Sequence, residues 1–338
     1  MSFREQLQAQ PARLRALIGE LRRADHPLRS AACARLLEKP RLLLTGMGSS
    51  LISCYPAYLR LTRGGARVML WETAEVLHFA GGTIDSDTLV VAVSQSGETA
   101  EIVALLERLP PGQPLLGVTN VAGSTLGRRA TVALELGAER SRYASSQTYV
   151  NSLALLLAVA HAAQGATWDA FLAAAEQAAD ALDGALAESF SRSDVEIDRQ
   201  AHLVFLARGP SLAAAQQAAL MFHEVAVRGA AAMSAAAFRH GPLEMAGPSL
   251  QAVILLPYGP TATLVENLGA ELERFGARVL RVADARLDAG DFRHPPVEEE
   301  LAPVVNIAPL QAMAHRCALA LGRDPGAFLQ GESVTRTE

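Results

Sequence analysis

Apolar positions fall in short unbroken runs along the first half of the chain. Arg41–Thr45, Ala66–Trp71, Thr88–Val93 and Pro114–Val118 predict buried strands, and most are followed by a segment with the helical period. Unbroken runs, rather than alternation, are expected of strands covered on both faces, as in a parallel α/β sheet with helices on either side. A long Ala-rich stretch then predicts two helices, Gln147–Ala163 and Thr167–Ser189, with no strand signal. Strands are expected to resume at His202–Ala207, Gln251–Pro257, Ala277–Val282 and Ala302–Ile307. This gives an N-terminal helical segment over 1–40, α/β domains over 41–165 and 201–325, a helical linker over 166–200 and a tail over 326–338.

The two halves resemble each other. Arg41-Leu-Leu-Leu-Thr-Gly-Met-Gly-Ser-Ser-Leu51 lies over His202-Leu-Val-Phe-Leu-Ala-Arg-Gly-Pro-Ser-Leu212, with Leu42/Leu203, Gly48/Gly209, Ser50/Ser211 and Leu51/Leu212 identical. An internal duplication accounts for this economically.

Candidate chemistry begins where Leu89–Val93 runs into Ser94-Gln95-Ser96-Gly97-Glu98-Thr99, just before the helical pattern of Ala100, Ile102, Val103, Leu105 and Leu106. A buried strand ending in hydroxyls and glycine ahead of a helix offers amides, side-chain donors and a positive helix end to one point, as a phosphate requires. A capped turn without a ligand uses the same residue types, so six residues alone leave the two readings even. Gly48-Ser49-Ser50 ends another strand of the same half, and open α/β sheets bind ligands at the carboxyl ends of their strands. Gly46-Met-Gly48 is no dinucleotide fingerprint, since Leu51 stands where the third glycine belongs. In the second half Ser94–Thr99 is matched by Pro257-Tyr-Gly-Pro-Thr-Ala, which assigns phosphate binding to the first half only.

The second half carries its own candidates. On a helix expected over Ala213–Arg228, Gln217, Met221 and Glu224 fall at i, i+4 and i+7 and share a face. Beyond it comes Phe238-Arg239-His240-Gly241-Pro242-Leu243-Glu244. A carboxylate or imidazole in Ala-rich, charge-poor surroundings is costly unless paired or exposed in a cleft. Taken singly, Glu224 reads as a solvated helix residue and His240 as structural; together with the His-Gly-Pro turn they favour chemistry.

With 338 residues, half of them hydrophobic, the chain can bury a large core in two domains. A net charge of −5 and scattered Lys and Arg leave no basic stripe for nucleic acid. The start, Met1-Ser2-Phe3-Arg4-Glu5-Gln6, has no apolar signal core, and the run Leu153–Ala160 stops at His161, too short to span a bilayer. No membrane partner and a cytoplasmic location are therefore expected. Cys33, Cys54 and Cys317 form neither a CxxC nor a metal-like spacing with the eight histidines, so neither disulfide nor metal is expected.

Across nearly the whole chain, these residues resemble the tandem sugar isomerase (SIS) domain family, and are most similar to the isomerase half of glutamine–fructose-6-phosphate aminotransferase, or glucosamine-6-phosphate synthase. The resemblance rests on Ser94-Gln-Ser-Gly-Glu-Thr-Ala, Asn120-Val-Ala-Gly-Ser-Thr-Leu, Ala144-Ser-Ser-Gln-Thr, Phe238-Arg-His-Gly-Pro-Leu, Leu301-Ala-Pro with Pro309-Leu-Gln, and Glu332-Ser-Val-Thr. It implies two three-layer αβα subdomains with parallel sheets, a homodimer with shared active sites, and no cofactor. It also implies that Gly48, Ser49, Ser50, Ser94, Gln95, Ser96, Thr99 and Ser145 hold the phosphate and hydroxyls of a hexose or hexosamine 6-phosphate. Glu224 would then be the proton shuttle and His240 the ring-opening acid/base.

Departures from the synthase narrow the expectation. Ser2 stands where its glutaminase has a nucleophilic Cys, and there is no room for that domain, so release of ammonia from glutamine is not expected. Met221, Gln217, Gln147 and Glu332 replace its Lys, Glu, Lys and Lys, which argues against Schiff-base chemistry. The retained pair without a glutaminase points to isomerising deamination of a hexosamine 6-phosphate. A deglycase, a plain aldose–ketose isomerase and a non-catalytic phosphosugar sensor stay open as alternatives.

Overall fold

The unbroken apolar runs are parallel strands in the computed structural model, which describes residues 2–139, 143–192, 194, 197–288, 290–326, 328–330 and 335. The chain divides into two compact units, one of residues 12–141, 145–175 and 330–338, the other of residues 1–11, 142–144 and 176–329. Three helices come first, α1 (Phe3–Gln8), α2 (Gln10–Arg22) and α3 (Ala31–Leu37). The first sheet follows as β1 (Arg41–Gly46), α4 (Ser49–Arg63), β2 (Arg67–Glu72), α5 (Thr73–Glu75), β3 (Thr88–Val93), α6 (Ala100–Arg108), β4 (Leu115–Thr119), α7 (Thr125–Arg129) and β5 (Val132–Glu135), closed by α8 (Gln147–Ala163). After α9 (Trp168–Ser191) the plan repeats as β6 (His202–Ala207), α10 (Leu212–Met221), β7 (Ala231–Ser234), α11 (Ala235–Phe238), β8 (Leu250–Leu256), α12 (Ala262–Arg274), β9 (Arg278–Asp284), β10 (Phe292–His294) and α13 (Ala302–Ala320).

Strand order is β2-β1-β3-β4-β5 in one sheet and β7-β6-β8-β9-β10 in the other, all parallel. The two sheets therefore share one topology. In the first, Leu43, Val90 and Ala92 bury one strand face against Ile102, Leu105 and Leu106 of α6 and Leu126 of α7. In the second, Val204, Leu206, Ala252 and Ile254 meet Val265, Leu268 and Leu272 of α12. The opposite faces are buried as well, and each enclosed Val or Leu contributes roughly 1.5–3 kcal/mol. Burial on both sides is why the strands carry no polar alternation. The same reasoning explains α8, which is apolar because every residue from Gln147 to His161 is buried. No helix among the described residues is long and apolar enough to cross a membrane.

Some expectations are corrected. Ala302–Ile307 is not a strand but the first turns of α13. Pro303 explains the difference, since proline cannot donate to a sheet ladder yet suits the first turn of a helix, and the apolar positions continue to Ala320. Three strands had no sequence expectation: β5, β7 and β10 are short, and β7 is built of Ala231-Ala-Met-Ser, residues with little strand preference.

The register also refines the internal match. Thr45 pairs with Ala92 in the first sheet, and Leu206 pairs with Ile254 in the second. Carrying the Arg41/His202 match through these pairings sets Ser94–Thr99 over Leu256–Thr261, one residue earlier than the sequence comparison. Gly97 then falls on Gly259 and Thr99 on Thr261.

Candidate functional site

Two loops leave the first sheet side by side. Gly46 at the end of β1 pairs with Val93 at the end of β3, so Gly48–Ser50 and Ser94–Thr99 depart from the same rim. Because β2 lies on the other side of β1, this rim is the point where strand order reverses, the customary ligand crevice of such sheets. Gly48 adopts φ 49° as N-cap of α4, with Ser49 and Ser50 in the first turn behind it.

Ser94 is buried and organises its loop. Its Oγ accepts a hydrogen bond from the Gly97 amide at 3.1 Å and lies 2.9 Å from Thr99 Oγ1. Ser96 Oγ accepts from the Glu98 amide at 3.1 Å. The Gln95 carbonyl accepts from the Asn120 amide at 2.9 Å and from the Thr119 hydroxyl at 3.3 Å, which clamps the loop to the end of β4. At φ 64°, Gly97 has no room for a side chain, since a Cβ there would lie 2.0 Å from Ser124 Oγ. Glu98 turns away from its own loop: its carboxylate accepts from the Thr125 amide and hydroxyl at 2.6 and 2.9 Å, where α7 begins. That ties its negative charge to a positive helix end and leaves the Ser-rich loop acidic only at its margin. The Ala100 amide at the start of α6 donates to the Thr335 carbonyl at 3.1 Å.

In the same unit, Ser145 Oγ lies 2.7 Å from Thr148 Oγ1 at the start of α8. Gln147, where the synthase has a lysine, is buried and accepts from the Glu139 amide at 3.1 Å. Glu332 lies outside the described residues.

Glu224 and His240 belong to the other unit. The helix expected over Ala213–Arg228 ends at Met221 and gives way to a π-turn, Phe222–Ala226, that holds Glu224. The turn closes on Val227 at φ 48°, ψ 50°, the one non-glycine residue with positive φ among those described. A π-turn widens the helix by one residue per turn, so the i, i+4, i+7 stripe of Gln217, Met221 and Glu224 is interrupted before Glu224. Gln217 and Met221 are fully buried, while Glu224 is half-buried between buried Phe222 and Val225. Its Oε2 is shut off from solvent with no hydrogen-bond partner among the described residues. Burial pushes the Glu224 carboxyl up to about 7.

His240 follows α11, with its amide donating to Ala237 O at 2.9 Å, and is exposed. Gly241 at φ 113° then turns the chain into Pro242. No hydrogen bond joins Glu224 to His240 among the described residues.

The structure thus gathers Gly48, Ser49, Ser50, Ser94, Gln95, Ser96 and Thr99 on one rim. Thr119 and Asn120, which brace Gln95, and Glu98, which caps α7, had no expected role. The signal for Asn120 and for the Thr125 end of the Glu98 contact was the Asn120-Val-Ala-Gly-Ser-Thr motif, whose contribution is to hold the neighbouring loop, while Thr119 is the last residue of β4 just ahead of it. Nothing in the residue types announced the π-turn.

The SIS domain family matches residues 35–162 and 196–316. Glutamine–fructose-6-phosphate aminotransferase (isomerizing) of Pyrococcus horikoshii is 29% identical over 304 residues, 86% of this chain and 50% of its own length. The chain thus spans about half the length of that curated relative. Among solved structures, the C-terminal domain of glucosamine-fructose-6-phosphate aminotransferase from Francisella tularensis aligns at TM-score 0.82 and 20% identity, covering 95% of this chain and 96% of that one. Glucosamine-6-phosphate deaminase from Thermotoga maritima aligns at TM-score 0.77 and 18% identity, covering 96% and 99%.

Proposed function

The chain belongs to the SIS domain family, and on that footing we propose that it is an isomerising deaminase, converting a hexosamine 6-phosphate and water to a ketose 6-phosphate and ammonia. The observation that carries this reading is the Glu224 carboxylate, held in a π-turn with Oε2 shut off from solvent and without a hydrogen-bond partner among the described residues, a setting that pushes its pKa up towards neutrality. A base that moves a proton between adjacent carbons must both take it and return it, and a group titrating near neutrality does so most readily.

His240 moves a proton from the anomeric hydroxyl to the ring oxygen, opening the sugar to its aldehyde. Glu224 then removes the C2 proton, and the electron pair forms an enolamine across C1 and C2. Return of that proton to C1, with transfer of an amine proton to the C1 oxygen, leaves a C2 imine beside a C1 hydroxyl, and water hydrolyses the imine to the ketose and ammonia. The hydroxyls and amides of Gly48–Ser50 and Ser94–Thr99, with Ser145, take the 6-phosphate, whose binding energy is remote from the reacting carbons. The likeness to a deaminase, a protein of the same fold, supports the reading. We further propose a homodimer.

Incubation with glucosamine 6-phosphate should release ammonia and fructose 6-phosphate in equal amounts, and Glu224→Gln should slow both by about 100- to 10,000-fold. Interconversion of hexose phosphates without ammonia would make the protein a plain isomerase. Failure of any hexose or hexosamine 6-phosphate to exchange its C2 hydrogen with solvent deuterium would refute catalysis and leave a sensor.

A further inference from the structure

The second sheet repeats the rim of the first, and something already sits in it. The turn after β6, Gly209–Ser211, starts at φ 58° where the turn after β1 has Gly48 at φ 49°. The loop after β8, Leu256–Thr261, stands where the first sheet has Ser94–Thr99. Between these two glycine-bearing loops lies the carboxylate of Glu299. A Cβ on Gly259 would lie 2.6 Å from Glu299 Oε1 and 3.1 Å from Oε2, and one on Gly209 would lie 3.6 Å from Oε1. Glu299 is delivered by the single turn Glu299–Leu301 that leads into α13 and packs on Gly209–Ser211. Ser145 leads into α8 in the same way, two residues ahead of the helix, whereas Glu299 is three residues ahead.

We infer that Glu299 is a built-in anion: its carboxylate fills, in the second sheet, the position that a phosphate takes in the first, and so confines each chain to one anion site. The loop has changed to match. Leu256, Pro257, Tyr258 and Pro260 replace Ser94, Gln95, Ser96 and Glu98, which exchanges two serine hydroxyls for the single phenol of Tyr258, whose ring lies under the Arg286 guanidinium, and each proline removes an amide donor. What persists are Gly259 and Thr261, enough to accommodate a carboxylate tethered to the chain and too little to compete for a free dianion. A tethered group loses no translational freedom on docking, so it holds the position with fewer donors than a dissolved phosphate needs. The inference rests on the anion reading of the first rim and not on the deaminase chemistry.

Selenate, a phosphate-like dianion with an anomalous signal, tests it on the full-length chain. Crystals of Glu299→Ala soaked in selenate should show a selenium peak beside Gly209 and Gly259 that wild-type crystals lack. No such peak in the variant overturns the inference, whatever the first rim shows. A first rim without selenium in either protein counts separately against its phosphate reading.

Solution melting covers the case in which the alanine variant does not fold, with Glu299→Gln keeping size and removing charge. In chloride the Gln variant should melt roughly 2–4 °C below wild type, and sulfate at equal ionic strength should return most of that loss in Glu299→Ala or Glu299→Gln but not raise wild type equally. A Gln variant that melts with wild type in chloride overturns the inference, as does an equal sulfate response in both proteins.

Discussion

Replacing Glu224 by Gln should have opposite consequences for activity and for stability, and both follow from one carboxyl group. Its rise from an ordinary 4.5 to about 7 corresponds to roughly 3 kcal/mol of preference for the neutral form, at about 1.36 kcal/mol per pH unit. The cause is burial alone, with no opposing charge. Because the folded value lies above the unfolded one, the group stabilises the fold relative to its ionised form below about 4.5, and that contribution is lost as pH rises through about 7. Glu224→Gln, which never ionises, should therefore match wild type near pH 4 and exceed it by up to roughly 3 kcal/mol at pH 8 and above. The catalytic consequence has the other sign. The basic form is the working form, so kcat/KM for glucosamine 6-phosphate should rise tenfold per pH unit up to about 7 and then level off. The Gln variant should lose about 100- to 10,000-fold at pH 7 and above, a gap that narrows as falling pH protonates the wild-type carboxyl. Chemical denaturation across pH and initial rates of ammonia release measure the two halves. A rising limb centred near 4.5, or a Gln variant no more stable than wild type at pH 8, would refute the reasoning.

Other expectations concern the rest of the chain. Gly97→Ala places a methyl 2.0 Å from Ser124 Oγ at positive φ, and should raise KM for the phosphosugar at least tenfold while costing about 1–2 kcal/mol of stability, read by steady-state kinetics and urea unfolding. Ser94→Ala removes the acceptor of the Gly97 amide and the contact to Thr99, and should weaken binding of inorganic phosphate about tenfold in calorimetry with the fold intact. Asp284 is opposed by burial but held below the ordinary carboxylate range by Arg286 and by the Arg286 and Val297 amides, so its contribution is present above about pH 4 and lost as pH falls further. Asp284→Asn weakens the charge-assisted bonds from the partly exposed Arg286 and from the Arg286 and Val297 amides, and should cost roughly 1–2 kcal/mol at pH 7 and flatten that acid limb. The chain should sediment as a dimer, and an active monomer would refute that proposal.

Much of the fold was legible because the strands are buried on both faces, which leaves unbroken runs such as Leu89–Val93, and because α8 is enclosed along its length. The edge strand β7 was not, since alanine carries no strand preference and only pairing with β6 extends it. Ala302–Ile307 misled through its β-branched Val304, Val305 and Ile307, although Pro303 marked a helix start. The rim was legible because hydroxyl and glycine chemistry is written in residue types. Its supports were not: Thr119 and Asn120 act on the Gln95 carbonyl, a main-chain atom that every residue possesses. The π-turn was illegible for a similar reason. Phe222 packs against Phe205 with ring centres 5.4 Å apart and planes tilted by 48°, and tertiary packing of that kind, rather than local preference, sets where an extra residue enters a helix.

Val227 marks a position where evolution toward robustness and evolution toward turnover pull in opposite directions. A β-branched side chain in the left-handed region costs about 1–2 kcal/mol, so a library sorted for heat resistance should enrich glycine or asparagine at this codon. The same replacement would slacken the stop that closes the wide turn three residues after the proposed base. Thermally selected variants of this protein should therefore be screened at residue 227 before they are used as catalysts.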